Sequence, residues 1–332
     1  MTLARDQFCI VSWVIRITGV CVCALLLANC ATTPVPVVEK SVVEKPVVVI
    51  KPQPVALPSK VAIVISRDIP NMTSVADALG KRFGEGNYSV HHLQGKSHYG
   101  GRVLAEVDAA EAEQVVAIGL LAARVLKEHQ NRPLVFCQTY NYQEYGLVSD
   151  RSKGVSFLPP FDRQFDSWHK LSPSLRTVGV VTGPNQDALL KEIRQAAGRK
   201  NINVVSRIVT SDKAALHEIK RLMPEVQGVL LLPDNRILSP GVLRQIMSTG
   251  AKRRTQIAVY SPSLLDLGAL ISFAGTPDDI ARVVDKRLDA VRADGSLPGP
   301  ALQSLKKVDM QVNPTVASYL SLVIPKQFAQ AQ

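Results

Sequence analysis

The sequence has 332 residues and a mass of 36.1 kDa; 46% of the residues are hydrophobic and 20% are charged. So much apolar side chain excludes a disordered polymer. After residue 30 no apolar run approaches the roughly 20 residues needed to cross a bilayer, which excludes a polytopic membrane protein. Lys and Arg outnumber Asp and Glu by 39 to 28, a net charge of +11. This balance is basic but falls short of a protein that coats nucleic acid, and no nucleic-acid partner is predicted.

The N-terminal residues have the pattern of an export signal. A charged segment precedes an apolar stretch at 17–28, which is too short to span a membrane. The stretch ends in Leu-Ala-Asn-Cys at 27–30, which resembles the bacterial lipobox, although Asn29 stands where Gly, Ala or Ser is usual. We therefore predict a lipoprotein signal peptide at 1–29 and lipidation of Cys30. The alternative is a plain signal peptide followed by a chance cysteine.

This signal predicts a location and a redox state. The protein is expected in the bacterial cell envelope, on the periplasmic side, anchored to the membrane by lipid. Ala31 follows the lipidated cysteine where an aspartate would favour retention in the inner membrane of enteric bacteria, so either membrane is open. Beyond Cys30 only Cys137 remains, inside an apolar strand pattern. One buried thiol means that there is no disulfide framework.

Residues 30–59 form a linker rich in proline and valine. Six prolines lie between residues 31 and 59. Proline at this density disfavours helix and sheet and favours an extended polyproline II chain of about 3.1 Å per residue. We predict a stalk between the lipidated cysteine and a folded domain. A strand at 47–50 is the alternative.

From residue 60 onward, short apolar runs alternate with amphipathic helices. Ser211 and Thr276 are good helix N-caps. Continuous apolar strands separated by helices indicate parallel sheets covered on both faces. The strands are predicted at 61–65, 114–118, 133–137, 177–181, 203–205, 228–232 and 256–260, and the clearest helices at 186–198, 212–223 and 277–292.

The length and a Pro/Ser-rich break at 171–174 favour two such α/β lobes. We predict that the first lobe comprises residues 60–170 together with 268–300. The second lobe is predicted to comprise residues 171–267 together with 305–325.

Candidate ligand-binding residues follow the predicted strands, because ligands of open α/β sheets bind beyond the carboxyl ends of the strands. A helix start whose N–H groups could hold a carboxylate, a lone acid and several aromatics would suit a small zwitterion. Each of these residues could equally be a turn or capping residue. The candidates are Gly119, Leu120, Tyr140, Asn141, Asp234 and Tyr260.

Signals for chemistry are weak. The sequence has no phosphate-binding glycine loop, no dinucleotide fingerprint and no nucleophile elbow. His91, His92 and His98 lack the regular spacing of a zinc site. No catalytic residue, metal site or cofactor is predicted, and the protein is not expected to be an enzyme.

Several motifs of the globular part, in their order and spacing, resemble one known family. They are Val116-Ala117-Ile118-Gly119, Pro133-Leu134-Val135-Phe136, Gly228-Val229-Leu230-Leu231-Leu232-Pro233-Asp234, Tyr260-Ser261-Pro262-Ser263 and Asn313-Pro314-Thr315-Val316-Ala317. The resemblance, over residues 60–325, is to ABC-transporter substrate-binding proteins that include tryptophan- and tyrosine-binding lipoproteins. It implies a periplasmic-binding-protein fold, with two α/β lobes that close on a ligand.

The resemblance also implies roles for site residues. Gly119 and Leu120 would lie near a ligand carboxylate and Asp234 near an ammonium group, although the family's hydroxyl residue is replaced by Leu120. The implied function is a lipoprotein that delivers an amino-acid-like solute to an ABC permease. The alternative is a non-transport sensor or scaffold of envelope assembly with the same fold.

Overall fold

The computed structural model describes residues 61–129 and 131–329, which belong to one compact unit, Pro54–Gln332. The predicted signal peptide at 1–29, the lipidation of Cys30 and the linker at 30–59 lie outside the described residues. Within the described ranges, no helix combines the length and the apolar character needed to cross a membrane.

Two six-stranded sheets form the framework. The first sheet has the order β11-β5-β4-β3-β1-β2 and is parallel throughout. Its strands are β1 Val61–Ile65, β2 Tyr88–His92, β3 Gln114–Ile118, β4 Leu134–Cys137, β5 Ser152–Val155 and β11 Leu302–Gln303. The second sheet has the order β12-β10-β9-β8-β6-β7, with only β12 antiparallel to its neighbour. Its strands are β6 Thr177–Thr182, β7 Asn203–Ile208, β8 Gly228–Leu230, β9 Gln256–Val259, β10 Ile271–Ala274 and β12 Asp309–Val312.

Helices connect these strands. Two N-caps predicted from the sequence are confirmed: Ser211 Oγ accepts a hydrogen bond from the Ala214 amide, and Thr276 Oγ1 accepts one from the Asp279 amide. The helices are α1 Pro70–Phe83, α2 Gly100–Ala109, α3 Leu120–His129, α4 Phe161–Leu171, α5 Asp187–Gly198, α6 Asp212–Leu222, α7 Pro240–Arg253, α8 Pro277–Leu288, α9 Pro314–Tyr319 and α10 Lys326–Ala329.

Both faces of each sheet are buried. In β1, Ile63 and Ile65 point into one core cluster while Ala62 and Val64 point into another, and all four are at most 1% exposed. Helices cover both faces, which explains why the strands carry continuous apolar runs rather than alternation. The predicted class, a two-lobed α/β fold with parallel sheets flanked by helices, is confirmed.

The chain enters the second lobe earlier than the sequence predicted. The change of lobe follows β5, at residues 156–160, rather than after residue 170. Helix α4 decides this point, because Phe165 and Trp168 pack in the core of the second lobe. The indole N–H of Trp168 also donates to Gln256 Oε1 at 2.8 Å.

Two later segments also change lobe. Strand β10 pairs with β9 in the second sheet, so residues 271–274 lie there rather than with the first lobe as predicted for 268–300. Helix α8 then returns to the first lobe, where Ile280 and Val284 join its core. Finally, β11 joins the first sheet and β12 the second. The described chain therefore crosses three times between the lobes.

Candidate functional site

The carboxyl ends of the two sheets face each other across a cleft. Two hydrogen bonds cross it: Asn71 Nδ2 donates to Ser261 Oγ at 3.3 Å, and Asn141 Nδ2 donates to Asp234 Oδ1 at 3.0 Å. Asn71 lies at the start of α1, and the other three residues lie in the segments that follow β9, β4 and β8. Parallel strands thus deliver polar side chains from both lobes to one place.

Asp234 is the most enclosed charged group of this cleft, with no exposed surface. Besides the Asn141 bond, its Oδ2 accepts the Gly183 amide at 3.3 Å. The side chain of Arg236 forms a bidentate salt bridge with the carboxylate: Nε donates to Oδ1 at 2.8 Å and Nη2 donates to Oδ2 at 2.6 Å. Arg236 was not predicted as a site residue, although it lies only two residues after the acid in the sequence.

Arg236 also reaches the first lobe. Its Nη1 donates to Glu144 Oε2 at 2.6 Å, and Glu144 lies in the segment that follows β4. Asp234 and Glu144 both pair with the guanidinium of Arg236. The pKa of Arg236 is raised, and the hydrogen bond to Asp234 is the largest cause. The cation is therefore held charged between the lobes.

The same contacts hold Asp234 ionised. Burial alone would raise the pKa of this carboxyl, but the hydrogen bonds from Arg236 and Asn141 outweigh burial and keep the pKa below its usual value.

Tyr140 presents a polar atom without a partner. Its hydroxyl is buried and makes no hydrogen bond within the described residues. The pKa of the phenol is raised by burial and by the nearby Asp234 charge, so the group remains a neutral donor. A buried O–H that lacks an acceptor is costly. A polar atom of a bound molecule would satisfy it.

Two cavities adjoin these residues. The smaller, about 200 Å³, is lined from both lobes by Asn71, Gln138, Phe157, Tyr260 and others. Phe157 and Tyr260 meet edge to face, with ring centroids 6.3 Å apart. Gln138 has a φ of +54°, which is rare for a residue with a side chain and places a strained backbone at the cavity wall.

The larger cavity, about 400 Å³, shares Phe157 with the smaller one. Its walls mix polar and apolar groups, and the first lobe, the second lobe and two crossing segments all contribute. They include Tyr140, Tyr142, Phe157, Phe161, Gln186, Leu189 and Leu302.

At the predicted carboxylate subsite, two of the backbone amides already have partners within the chain. The Gly119 amide donates to Cys137 O at 2.9 Å, so it is committed to the neighbouring strand. The Ala122 amide at the start of α3 is capped by Ser66 Oγ at 2.9 Å. Leu120 is half-buried against the core of the first lobe.

The predicted residues thus divide into two groups. The structure brings Tyr140, Asn141 and Asp234 together, and Tyr260 lines the smaller cavity, whereas Gly119 and Leu120 serve strand and helix packing. Asn71, Gln138 and Glu144 were not predicted. Their sequence neighbourhoods carry no motif, and only the meeting of the two lobes identifies them.

Comparison with solved structures confirms the two-lobed fold. A Streptococcus pneumoniae protein, described as an ABC domain in complex with L-Trp, matches with 17% identity and a TM-score of 0.60, over 82% of this chain and 98% of that chain. A conserved domain protein of Vibrio cholerae matches with 18% identity and a TM-score of 0.59, over 82% and 97%. A Clostridium difficile substrate binding protein with adhesive properties, in a ligand-free, open structure, has 13% identity and a TM-score of 0.61, over 81% and 96%. The comparison with curated proteins found no match.

Residues 96–328 match the family described as ABC transporter substrate binding protein. That family consists of solute-binding proteins and is not a class of enzymes. Since the match covers well over half of the sequence, this chain belongs to the ABC transporter substrate binding protein family.

Proposed function

We propose that the protein is the solute-binding component of an ABC transporter and holds a small, amino-acid-like solute between its two lobes. The observation that carries this proposal is the cavity of about 200 Å³ whose walls come from α1 of the first lobe and from the segments after β9 and β10 of the second. A molecule that contacts both lobes stabilises their closed arrangement.

The lining supports a solute with polar and aromatic parts. Asn71 and Gln138 offer amide donors and acceptors, and Phe157 and Tyr260 offer ring surfaces. The unpaired Tyr140 hydroxyl belongs to a side chain that lines the larger cavity, which shares Phe157 with the smaller one. The Streptococcus pneumoniae protein of the same fold binds L-Trp. This likeness favours an aromatic amino acid or a molecule of similar size.

The partner would be an ABC permease that recognises the closed lobes. In this proposal the predicted lipid on Cys30 anchors the protein at the periplasmic side of the cell envelope, in the inner or outer membrane. The predicted linker at 30–59 then lets the domain reach the permease. No cofactor is part of this function.

The test is a thermal-shift screen of the compact unit, residues 54–332, against amino acids, small peptides, nucleosides and sugars. A solute at about 100 times its dissociation constant should add roughly 2.7 kcal/mol, a shift of several degrees. A hit establishes the receptor and names its solute class. A folded sample that no member of the panel stabilises would contradict the proposal.

A second candidate is a non-transport sensor or scaffold of envelope assembly. It is favoured by Arg236, which pairs with Asp234 within its own lobe and with Glu144 across the cleft. A lobe arrangement held by the chain itself needs no solute. Copurification from the envelope separates the two functions: a permease would support transport, and assembly factors without a permease would support the scaffold.

A further inference from the structure

The buried carboxylate of the cleft receives its counter-charge from within the chain. Asp234 has no exposed surface, and a buried charge is tolerated only when it is paired and hydrogen-bonded. Arg236 supplies the pairing with two parallel N–H···O bonds of 2.8 and 2.6 Å. This bidentate geometry is the strongest that a carboxylate forms with a side chain.

The acceptor capacity of Asp234 is used up. Its Oδ1 accepts from Asn141 Nδ2, from the Arg236 amide and from Arg236 Nε, at 3.0, 3.2 and 2.8 Å. Its Oδ2 accepts from the Gly183 amide and from Arg236 Nη2, at 3.3 and 2.6 Å. A carboxylate has about four lone-pair sites, so no site is left for a further cation.

The same guanidinium joins the lobes. Arg236 belongs to the segment after β8 of the second lobe, and its 2.6 Å bond to Glu144 reaches the segment after β4 of the first. The side chain of Arg236 is 20% exposed and that of Glu144 is 43% exposed. The second contact therefore lies nearer to the rim of the cleft.

A cationic solute would have to displace this pair to reach Asp234. The ammonium group of a solute is a point charge, whereas the guanidinium of Arg236 bonds the carboxylate through two N–H groups and belongs to the same chain segment. The guanidinium is therefore the stronger competitor for Asp234. The cavities on either side have other carboxylates on their walls, Asp309 in the smaller and Glu192 in the larger.

We propose that Arg236 is a specificity-determining residue that permanently fills the cation subsite of Asp234. This inference rests on the proposed solute-binding function. Solutes in this cleft are then recognised through the amide, hydroxyl and aromatic groups, without an ammonium–Asp234 pair. Through its hydrogen bond to Glu144, Arg236 also links the two lobes. We call this Arg236–Glu144 contact the clasp.

The test compares L-tryptophan with indole-3-propionate, which lacks the ammonium group, by calorimetry on residues 54–332. We expect Asp234→Asn to bind the two solutes with the same ratio of affinities as the wild type does. For Arg236→Met, which frees the carboxylate, we expect affinity for L-tryptophan to rise by about 10-fold relative to indole-3-propionate, as a charge-assisted bond is gained. Arg236→Gln, which removes the charge but keeps an amide that can donate to Asp234, is the variant to use if Met destabilises the fold.

The clasp has its own measurement, the distance between spin labels on exposed positions of the two lobes, Asp77→Cys and Lys213→Cys. Cys137 is buried and stays unlabelled. Glu144→Gln keeps the Asp234–Arg236 pair but weakens the Arg236–Glu144 contact. We therefore expect this variant to broaden the distance distribution without any gain of L-tryptophan affinity.

Two results would overturn the role of Arg236. One is a wild-type preference for L-tryptophan that Asp234→Asn abolishes, which leaves solute binding itself intact. The other is a distance distribution that neither Arg236→Met nor Glu144→Gln changes. If no solute of the wider panel binds any folded variant, the proposed function fails, and the distance measurement alone decides whether the clasp holds the lobes together.

Discussion

The side-chain amide of Asn141 donates to Oδ1 of Asp234 at 3.0 Å, and this bond connects the segment after β4 of one lobe to the segment after β8 of the other. The two residues are 4% and 0% exposed. An uncharged donor from the first lobe thus reaches a buried charge of the second. The contact between the lobes therefore depends on polar groups that are almost completely buried.

Replacement of Asn141 by Ala should lower the free energy of unfolding by about 1.5–3 kcal/mol, since a buried carboxylate loses a donor. Urea denaturation of residues 54–332 measures the change. Asn71→Ala is the matched control, because it removes a cross-lobe bond between two neutral groups, to Ser261, and should cost about 1 kcal/mol or less. Equal losses for the two variants would show that the charge of Asp234 does not matter.

Replacement of Tyr140 by Phe should separate stability from binding. The hydroxyl is buried without a partner, so its removal should leave the free energy of unfolding unchanged or raise it by up to about 1 kcal/mol. The affinity for the solute should fall by about 5-fold or more, because the hydroxyl is the donor that the solute would satisfy. Tyr142→Phe is the control, because Tyr142 lines the same larger cavity but its hydroxyl is not one of the buried atoms without a partner. If Tyr140→Phe binds the solute as well as the wild type does, the Tyr140 hydroxyl does not contact the solute.

Replacement of Gly119 by Ala should destabilise the first lobe by about 2 kcal/mol or more. Gly119 has a φ of +91°, and an added Cβ would lie 2.7 Å from both Met72 Cε and Ser66 Oγ. Gly86→Ala is the matched control, since its φ is +80° but no atom lies within 4 Å. Backbone strain alone, about 1 kcal/mol, is expected there. Thermal or urea unfolding measures both, and similar losses would mean that crowding at Gly119 is relieved.

Cys137 should be unreactive in the folded domain. The thiol has no exposed surface, and burial raises its pKa to about 12. A thiol reagent added to residues 54–332 at pH 8 should therefore modify no cysteine until denaturant is added, and then one. Rapid modification under native conditions would show that the first sheet opens locally at β4.

Asp166 should contribute to the pH dependence of stability. Hydrogen bonds from Lys170 and Lys200 lower the pKa of its carboxyl from 3.8 to about 2. A lowered pKa means that the ionised form stabilises the folded state above about pH 4, and that this contribution is lost as the pH falls toward 2.

We therefore expect Asp166→Asn to cost about 1 kcal/mol or less at pH 7, because the pair is partly solvated, and progressively less as the pH falls toward 2. Urea midpoints at pH 7, 4 and 2.5 measure the difference. Asp162→Asn, on the same helix and paired with Arg199 at a more exposed place, is the control. A difference between Asp166→Asn and the wild type that grows on acidification would reverse the predicted sign.

The sequence alone determined the local elements and the class of fold. The limits of β1 and β3 were predicted to the residue, and the caps Ser211 and Thr276 were identified correctly, because apolar runs and N-cap hydroxyls act over a few residues. No limits were predicted for the edge strand β2, since its side chains are largely half-buried or exposed and carry no continuous apolar run.

Only the tertiary structure decided which lobe each segment joins and which polar groups meet. Helix α4 and strand β10 lie in the second lobe because Trp168 and Ile271 fill its core, a choice that local pattern does not encode. Asp234 was found as a lone acid after a strand, but Asn141, which donates to it, and Glu144, which pairs with Arg236, lie about ninety residues away in sequence. A buried charge takes whichever donors the fold brings to it, and those donors are set by the packing of two lobes rather than by neighbouring residues.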